Sequence, residues 1–216
     1  MKQKKMIFLI SLTVILTITS YSLKLARLSY KGGGDWYNDP SIIPNITRFF
    51  NKNISNIFEN DEAVITLTDP EIENYPVIIM TGHGNVNFSE SEKNILRNYL
   101  KNGGFLIIDD DYGMDTHIRN ILKNLFNNHP LVKLHNDHEI FTSFFKFEKT
   151  PKIHTHNSKP PELWGIFINQ RLSLIYLFET NITDGWASPD VHKDSEEKRE
   201  QALKFGSNII FYALND

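Results

Sequence analysis

The sequence contains no cysteine among its 216 residues. This absence excludes disulfide bonds, a thiol nucleophile, a lipid-modified cysteine and any metal site with thiolate ligands. If the chain is exported, the lack of cysteine is typical of a bacterial envelope protein rather than of a small secreted module held together by disulfides.

Positive charge is also scarce, with 23 Lys and Arg against 26 Asp and Glu and a formal net charge of −3. Three of the lysines, Lys2, Lys4 and Lys5, stand at the very start of the chain. An acidic domain without a basic stripe is a poor binder of nucleic acid. We therefore expect no nucleic acid among the partners.

Two familiar motifs are missing. The Gly32-Gly33-Gly34 tract lacks the GxGxxG spacing and the Lys-Ser/Thr of a phosphate-binding loop. No serine stands in a GxSxG elbow, so the sequence gives no support to a serine hydrolase.

The N-terminal segment is predicted to be a targeting sequence. The three lysines precede an apolar run over residues 6–18 that is too short for a comfortable membrane span. Small residues at Ser20 and Ser22 suit a cleavage site. We predict a signal peptide over residues 1–22, or an uncleaved anchor over residues 6–22, followed by a single α/β domain over residues 23–216. The protein is then exported to the periplasm or cell envelope, and membrane contact would come only through an uncleaved N-terminus.

The rest of the chain is organised around a strand–helix–strand unit. Tyr75–Met80 is an apolar strand, and Ser89 with Glu92 is a capping-box signature that begins a helix. Phe105–Ile108 is a second buried strand, and Asp109–Asp111 is predicted to be an acidic loop. A unit of this length implies parallel strands with a right-handed crossover.

The predicted fold is α/β, with three layers and a mostly parallel sheet that has helices on both faces, as in flavodoxin-like and amidotransferase-like folds. Residues 164–168 and 171–178 are predicted to add an antiparallel extension near the C-terminus. Asp194 with Glu197 repeats the capping-box pattern and predicts the start of the last helix.

The carboxyl ends of parallel strands share one edge, where such folds bind ligands. Asp109, Asp110 and His83 follow the two predicted strands and are the candidate catalytic residues. They could hold a divalent cation, the one cofactor that the sequence suggests, or act as acid and base. Alternatively, one carboxylate caps the next helix, Arg119 pairs with another and the third is solvated.

Further residues are predicted to line the same crevice. His83 lies between two glycines and is expected in a tight turn whose N–H groups could bind an anion. Trp36 and Trp186 could stack on a sugar or peptide, or could pin the loops. The predicted ligand-binding residues are Gly33, Gly34, Asp35, Trp36, Tyr37, Gly82, Gly84, Asn85, Asp111, Arg119, His138, Glu179, Asp184 and Trp186.

The sequence gives little evidence that the remaining histidines belong to a functional site. His138 is predicted to be a satisfied loop or core histidine despite its place among the candidates. His154 and His156 form an HxH pair, which is a weak metal motif by itself. Four others are predicted to be surface residues: His117, His129, His135 and His192.

Several stretches together resemble a known family. They are residues 26–40 with Gly32-Gly33-Gly34-Asp35-Trp36-Tyr37-Asn38-Asp39-Pro40, residues 75–85 with Thr81-Gly82-His83-Gly84-Asn85, residues 99–110, Asp184-Gly185-Trp186 and residues 208–214. The chain is similar to the bacterial domain-of-unknown-function 4159 family. That resemblance implies a class I glutamine amidotransferase-like fold near the ThuA-like domains. It also implies aerotolerance-regulator (Bat-type) membrane proteins as partners.

The resemblance implies no reaction. In amidotransferases a Cys nucleophile follows the strand after the Gly-Gly turn, and Asp109-Asp110 stand at that place here. Glu179-Thr180-Asn181 stand where the partner histidine is expected, so amidotransferase and cysteine peptidase activities are excluded. Three hypotheses remain. The first is a non-catalytic envelope domain that binds a ligand or partner, and the second is a metal-assisted hydrolase, for example one directed at carbohydrates, that uses Asp109, Asp110 and His83. The third is a scaffold subunit with no small-molecule site.

Overall fold

The structure, a computed structural model, describes residues 22–156 and 158–216. Apart from Ser22, the predicted signal peptide or anchor lies outside these residues. The strands are β1 (Leu25–Leu28), β2 (Ala63–Ile65), β3 (Val77–His83), β4 (Phe105–Tyr112), β5 (Val132–Lys133), β6 (Glu162–Ile168) and β7 (Arg171–Phe178). The α-helices are α1 (Ile42–Asn53), α2 (Glu90–Lys101), α3 (Asp115–Leu125), α4 (Pro189–His192) and α5 (Glu196–Asn215).

The strands form one seven-stranded sheet in the order β2-β1-β3-β4-β7-β6-β5. Strands β2, β1, β3, β4 and β7 pair in parallel. Strand β6 is antiparallel to β7, and β5 is antiparallel to β6. The predicted α/β fold, with its antiparallel extension near the C-terminus, is therefore confirmed.

Alternating residues of the central strands face two separate cores. Val77 and Ile79 pack with residues of α1 and α5, whereas Ile78 and Met80 pack with residues of α2 and α3. This alternation follows from the two-residue period of a strand, and it gives the sheet a helical layer on each face.

Two of the strands are longer than the sequence predicts. Gly82 and His83 belong to β3 rather than to a tight turn, and Asp109–Asp111 belong to β4 rather than to a loop. Strand β4 continues because neighbours on both sides still offer backbone partners: Asp110 is in register with Gly82 of β3 and with Phe178 of β7. The three aspartates consequently alternate between the two faces of the sheet.

One predicted helix cap is confirmed and one is wrong. The Ser89 hydroxyl accepts from Glu92 N–H (3.2 Å), and the Glu92 carboxylate accepts from Ser89 N–H (2.7 Å), which completes the capping box of α2. Helix α5 is capped by Ser195 rather than by Asp194. The Asp194 carboxylate binds His154 instead.

Within the described residues, every helix is too short or too polar to cross a membrane.

Candidate functional site

Three chain segments meet at the carboxyl edge of the parallel strands. The connection after β1 carries Asp39, the end of β4 carries Asp111, and the short 3-10 helix after β7 carries Asp184. One carboxylate oxygen from each lies within 4.8 Å of the others. All three side chains are buried.

Asp184 is the central residue of this group. Its Oδ2 atom lies 2.7 Å from His154 Nδ1. Its Oδ1 atom has no hydrogen-bond partner among residues 22–156 and 158–216, although the side chain is only 2% exposed. The Nε2 atom of His192 lies 3.8 Å from this oxygen. A buried carboxylate oxygen without a partner is costly, so this atom marks a place for a ligand.

Asp111 is held by polar neighbours. Its oxygens lie 3.0 and 3.1 Å from the Thr81 hydroxyl, and Asn38 Nδ2 donates to Oδ2 (3.0 Å). Burial raises the pKa of Asp111 well above its usual range, and the negative charges of Asp184 and Asp109 raise it further. Burial also raises the pKa of Asp39.

Two histidines complete the group. His154 lies between two carboxylates, with Nδ1 on Asp184 (2.7 Å) and Nε2 on Asp194 (2.8 Å). Both carboxylates accept from the ring and raise the pKa of His154, and the hydrogen bond to Asp184 is the largest cause. His192 Nε2 lies 2.9 Å from Asp39 Oδ1, and the two imidazole rings are 5.1 Å apart.

The chemistry of the group fits a divalent cation. In the described part of the chain, no Lys or Arg forms an ion pair with Asp39, Asp111 or Asp184. Divalent cations bind oxygen ligands at roughly 2.1–2.6 Å, so one ion can contact atoms that lie about twice that distance apart. The 4.8 Å limit on the spacing of the three carboxylate oxygens meets this condition.

His83 forms a dyad with Asp35 beside this group. Its Nδ1 atom lies 3.2 Å from both Asp35 oxygens, and its backbone N–H donates to the same carboxylate. Because an ionised carboxylate only accepts, Nδ1 carries the proton and Nε2 of the neutral ring is left as an acceptor. Asn38 Nδ2 donates to Asp111 (3.0 Å) and lies 3.5 Å from His83 Nδ1, so the Asn38 side chain stands between the dyad and the carboxylate group. The Asp35 carboxylate thus occupies the place predicted for an anion.

Asp109 lies on the same face of β4 as Asp111 but is fully engaged by protein donors. It accepts from the Thr180 hydroxyl (2.8 Å), from Thr183 N–H (2.7 Å) and from the Thr183 hydroxyl (2.9 Å). Burial raises the pKa of Asp109 to about 7. Both oxygens of Asp109 are occupied by these donors, so neither is free for the predicted catalytic role. The same contacts fix the position of the chain after β7.

Asp110 points to the opposite face, away from Asp109 and Asp111. It accepts from Met114 N–H (2.9 Å) and from the Tyr176 hydroxyl (3.1 Å). The hypothesis that Arg119 pairs with the Asp109–Asp111 run is wrong, because Arg119 binds Asp115 (2.6 Å) and stacks on aromatic rings of that face. The predicted centre of Asp109, Asp110 and His83 is therefore not assembled as one group.

The predicted glycine loop closes over the end of β3. Gly34 N–H donates to the Asn85 carbonyl (2.9 Å), and a Cβ on Gly34 would lie 2.8 Å from that oxygen. Gly82 has φ +135°, and a Cβ there would meet the Tyr30 hydroxyl at 2.5 Å. These close approaches hold Asp35 against His83. The neighbouring Gly33 and Gly84 also have positive φ angles.

Five predicted ligand-binding residues have other surroundings. Trp186 is fully buried, and its indole N–H donates to the Ala202 carbonyl (2.9 Å), so it cannot stack on a ligand. His138 caps the 3-10 helix Glu139–Phe141 and contacts the ring of Tyr212 in α5, remote from the site. Of the others, Glu179 is buried with its carboxylate 3.3 Å from Lys152 Nζ, and Trp36 is half-buried under Arg27. Tyr37 is exposed.

Sequence reasoning missed four members of the group. His192 was predicted to be a surface residue, and the HxH pattern gave His154 only a weak signal. Asp39 and Asn38 stood in the quoted glycine-rich stretch without a role. The chain separation of 153 residues between Asp39 and His192 explains the miss, since no local spacing reports such a pair.

Comparisons with known proteins give a family and a distant structural neighbour. A family model described as "Domain of unknown function (DUF4159)" matches residues 24–214. A ThuA-like protein from Bacteroides uniformis ATCC 8492 superimposes with a TM-score of 0.41 and 14% sequence identity, over 90% of this chain and 94% of that chain. No curated protein matches the sequence.

Proposed function

The chain belongs to the DUF4159 family, and from that premise we propose that it is a ligand-binding domain of the bacterial cell envelope whose ligand is a divalent cation. The observation that carries the proposal is the buried Asp184 Oδ1, which has no hydrogen-bond partner within the described residues and belongs to a carboxylate grouped with those of Asp39 and Asp111. Carboxylate oxygens are the ligands that Mg²⁺, Mn²⁺ and Ca²⁺ prefer.

The place of the protein in the cell is part of the same proposal. Residues 1–22 would carry the chain to the envelope, either as a cleaved signal peptide or as an anchor. The family resemblance supports Bat-type membrane proteins as partners and an amidotransferase-like ancestry for the fold. The absence of cysteine supports a scaffold that has no thiol nucleophile.

Cation binding is tested with the purified full-length protein after treatment with EDTA. Titration with Mg²⁺, Mn²⁺ or Ca²⁺ in a calorimeter is expected to show saturable binding. At about 100 times the Kd, a ligand that binds only the folded state adds about 2.7 kcal/mol to the free energy of unfolding. The Tm should then rise by roughly 5–10 °C.

The control for this titration is NaCl at matched ionic strength, which should leave the Tm unchanged. If none of the three cations gives heat of binding or a Tm shift, the group of carboxylates is structural and the proposal fails.

A metal-assisted hydrolase is a second candidate function, favoured by the Asp35–His83 dyad. Asp35 fixes the proton on His83 Nδ1, so Nε2 can take a proton from water while the water oxygen attacks the substrate. A cation at Asp39, Asp111 and Asp184 would polarise the bond that breaks. The proton then passes to the leaving group.

The hydrolase candidate predicts that His83→Ala lowers kcat about 10²–10⁴-fold, the usual worth of a general base, with cation affinity retained. The measurement is turnover of the Mn²⁺-loaded protein on glycosides, esters and amides. His135→Ala, at an exposed loop histidine, serves as the control. Absence of turnover by the wild type across that panel would reject this candidate and leave the binding proposal standing.

A further inference from the structure

Asp184 belongs to two groups of metal-binding side chains at once. The first is Asp39, Asp111 and Asp184, and the second is His154, Asp184 and His192. Building on the proposed function, we propose that the site is binuclear: Asp184 bridges two divalent cations, the second of which is bound by His154 and His192.

The second group has the spacing of a metal site. Its three ligand atoms lie within 4.8 Å of one another. His154 Nδ1 is 2.7 Å from Asp184 Oδ2, so a cation would take the place of the proton between these two atoms. His192 reaches the same carboxylate from its other side, with Nε2 3.8 Å from Oδ1. Each oxygen of Asp184 therefore lies near an imidazole of the second group, and the same carboxylate also belongs to the first group, so Asp184 is the side chain that the two cations would share.

The surroundings of His154 match those of a metal-bound histidine. Such histidines almost always donate their second ring N–H to a carboxylate or carbonyl, which fixes the tautomer and the ring plane. Asp194 does this for His154, since its Oδ1 atom lies 2.8 Å from Nε2. The Asp194 side chain is 5% exposed, so the contact is built into the fold. It also leaves Nδ1 directed at Asp184.

The charge of the site can accommodate two divalent cations. Five carboxylate groups lie together with little exposure to solvent, and in the described part of the chain none of them forms an ion pair with Lys or Arg: Asp39, Asp109, Asp111, Asp184 and Asp194. One divalent cation would offset two of these carboxylates, whereas two cations would offset four. In the cation-free protein, protons on Asp109, Asp111 and His154, whose pKa values are all raised, would supply part of this compensation. Buried like charges are tolerated only when cations or protons compensate them.

The ligand types suggest which cations fit. The first group offers only carboxylate oxygens, which suit Mg²⁺, Mn²⁺ and Ca²⁺, whereas the second adds two imidazoles, which suit transition metals. Mn²⁺ satisfies both groups and occurs in proteins as pairs bound by carboxylates and histidines. Two cations that share a carboxylate lie about 3.5–4 Å apart, a spacing that holds the attacking and leaving oxygens in a displacement.

The test is equilibrium dialysis of metal-free full-length protein against Mn²⁺, followed by electron paramagnetic resonance. We expect two Mn²⁺ per chain at saturation. The six-line spectrum of isolated Mn²⁺ at the first equivalent should give way to a broad, spin-coupled spectrum at the second. One Mn²⁺ per chain would overturn the binuclear site while leaving the proposed function intact. No bound Mn²⁺ would also overturn the binuclear site, and the proposed function would fail with it if Mg²⁺ and Ca²⁺ do not bind either.

Substitution of the imidazoles locates the second cation. His192→Ala and His154→Ala are each expected to bind one Mn²⁺ with a six-line spectrum, whereas His135→Ala keeps two coupled ions. Two coupled ions in His192→Ala would refute the assignment. His192→Gln provides a further variant if a loop fails to fold, and the stoichiometry of the wild-type protein decides the proposal independently of all these variants.

Discussion

Replacing Asp184 with asparagine is expected to abolish divalent-cation binding and, at the same time, to raise the Tm of the cation-free protein. Loss of a neighbouring residue that only supports a metal ligand typically costs 10–100-fold in affinity, so loss of a shared ligand should cost about 100-fold or more. The cation-free protein is expected to become more stable, because the neutral amide would remove one negative charge from a buried group of like charges.

The measurement pairs Mn²⁺ calorimetry with thermal unfolding in EDTA. Relief of about 1 kcal/mol would raise the Tm by roughly 2–4 °C for a chain of this size. The amide oxygen can still accept from His154, and the N–H₂ group would take the place of Oδ1, the oxygen without a hydrogen-bond partner in the described part of the chain. Asp137→Asn, an equivalent change at an exposed position, should alter neither quantity. A lower Tm for Asp184→Asn, with Mn²⁺ binding retained, would show that Asp184 is a structural residue.

Asp109→Ala, in contrast to Asp184→Asn, is expected to destabilise the cation-free protein, with a loss of about 3–5 kcal/mol in the free energy of unfolding. The alanine would leave two buried donors without an acceptor, the Thr180 hydroxyl and the Thr183 N–H, whereas the Thr183 hydroxyl keeps Thr81 and Asp111 as neighbours. Each unsatisfied buried donor costs about 1–3 kcal/mol, and the truncation also leaves a cavity. Thermal unfolding in EDTA should show a Tm about 10 °C lower.

Asp109→Asn is the matched comparison for this loss. Its carbonyl oxygen can accept from both Thr183 donors, and its N–H₂ group can donate to the Thr180 hydroxyl, which rotates to accept. We therefore expect a loss of only about 1 kcal/mol. Equal stability of the alanine and asparagine variants would mean that these hydrogen bonds do not hold the chain after β7.

The sequence predicted the sheet well because the fold depends on local signals. Apolar runs, the Ser89 capping box and the glycine stops report on residues that are close in the chain, and they placed the strand–helix–strand unit correctly. The ends of β3 and β4 were missed because polarity alone does not end a strand. Asp109–Asp111 stay in β4 because strands on both sides still pair with it.

The candidate site was predicted only in part, for a related reason. The choice of edge followed from parallel topology, and Asp111 and Asp184 do lie there. Asp39 and His192 could not be paired from the sequence, because their contact is made by two connections that no local pattern orients. Trp186 was placed in the site wrongly for the same reason, because the sequence around a tryptophan in a loop does not show that α5 will bury it.

The long chain separations within the site have a consequence for when a metal ion can enter. Asp39 follows β1, Asp111 lies at the end of β4 and Asp184 follows β7, so their oxygens come together only after nearly the whole parallel sheet has formed. Contacts between residues far apart in sequence form late and slowly. A bound ion would therefore complete the fold rather than nucleate it. The chain would take its ion from whichever compartment it finishes folding in, and the ion available there would decide which metal the mature protein carries.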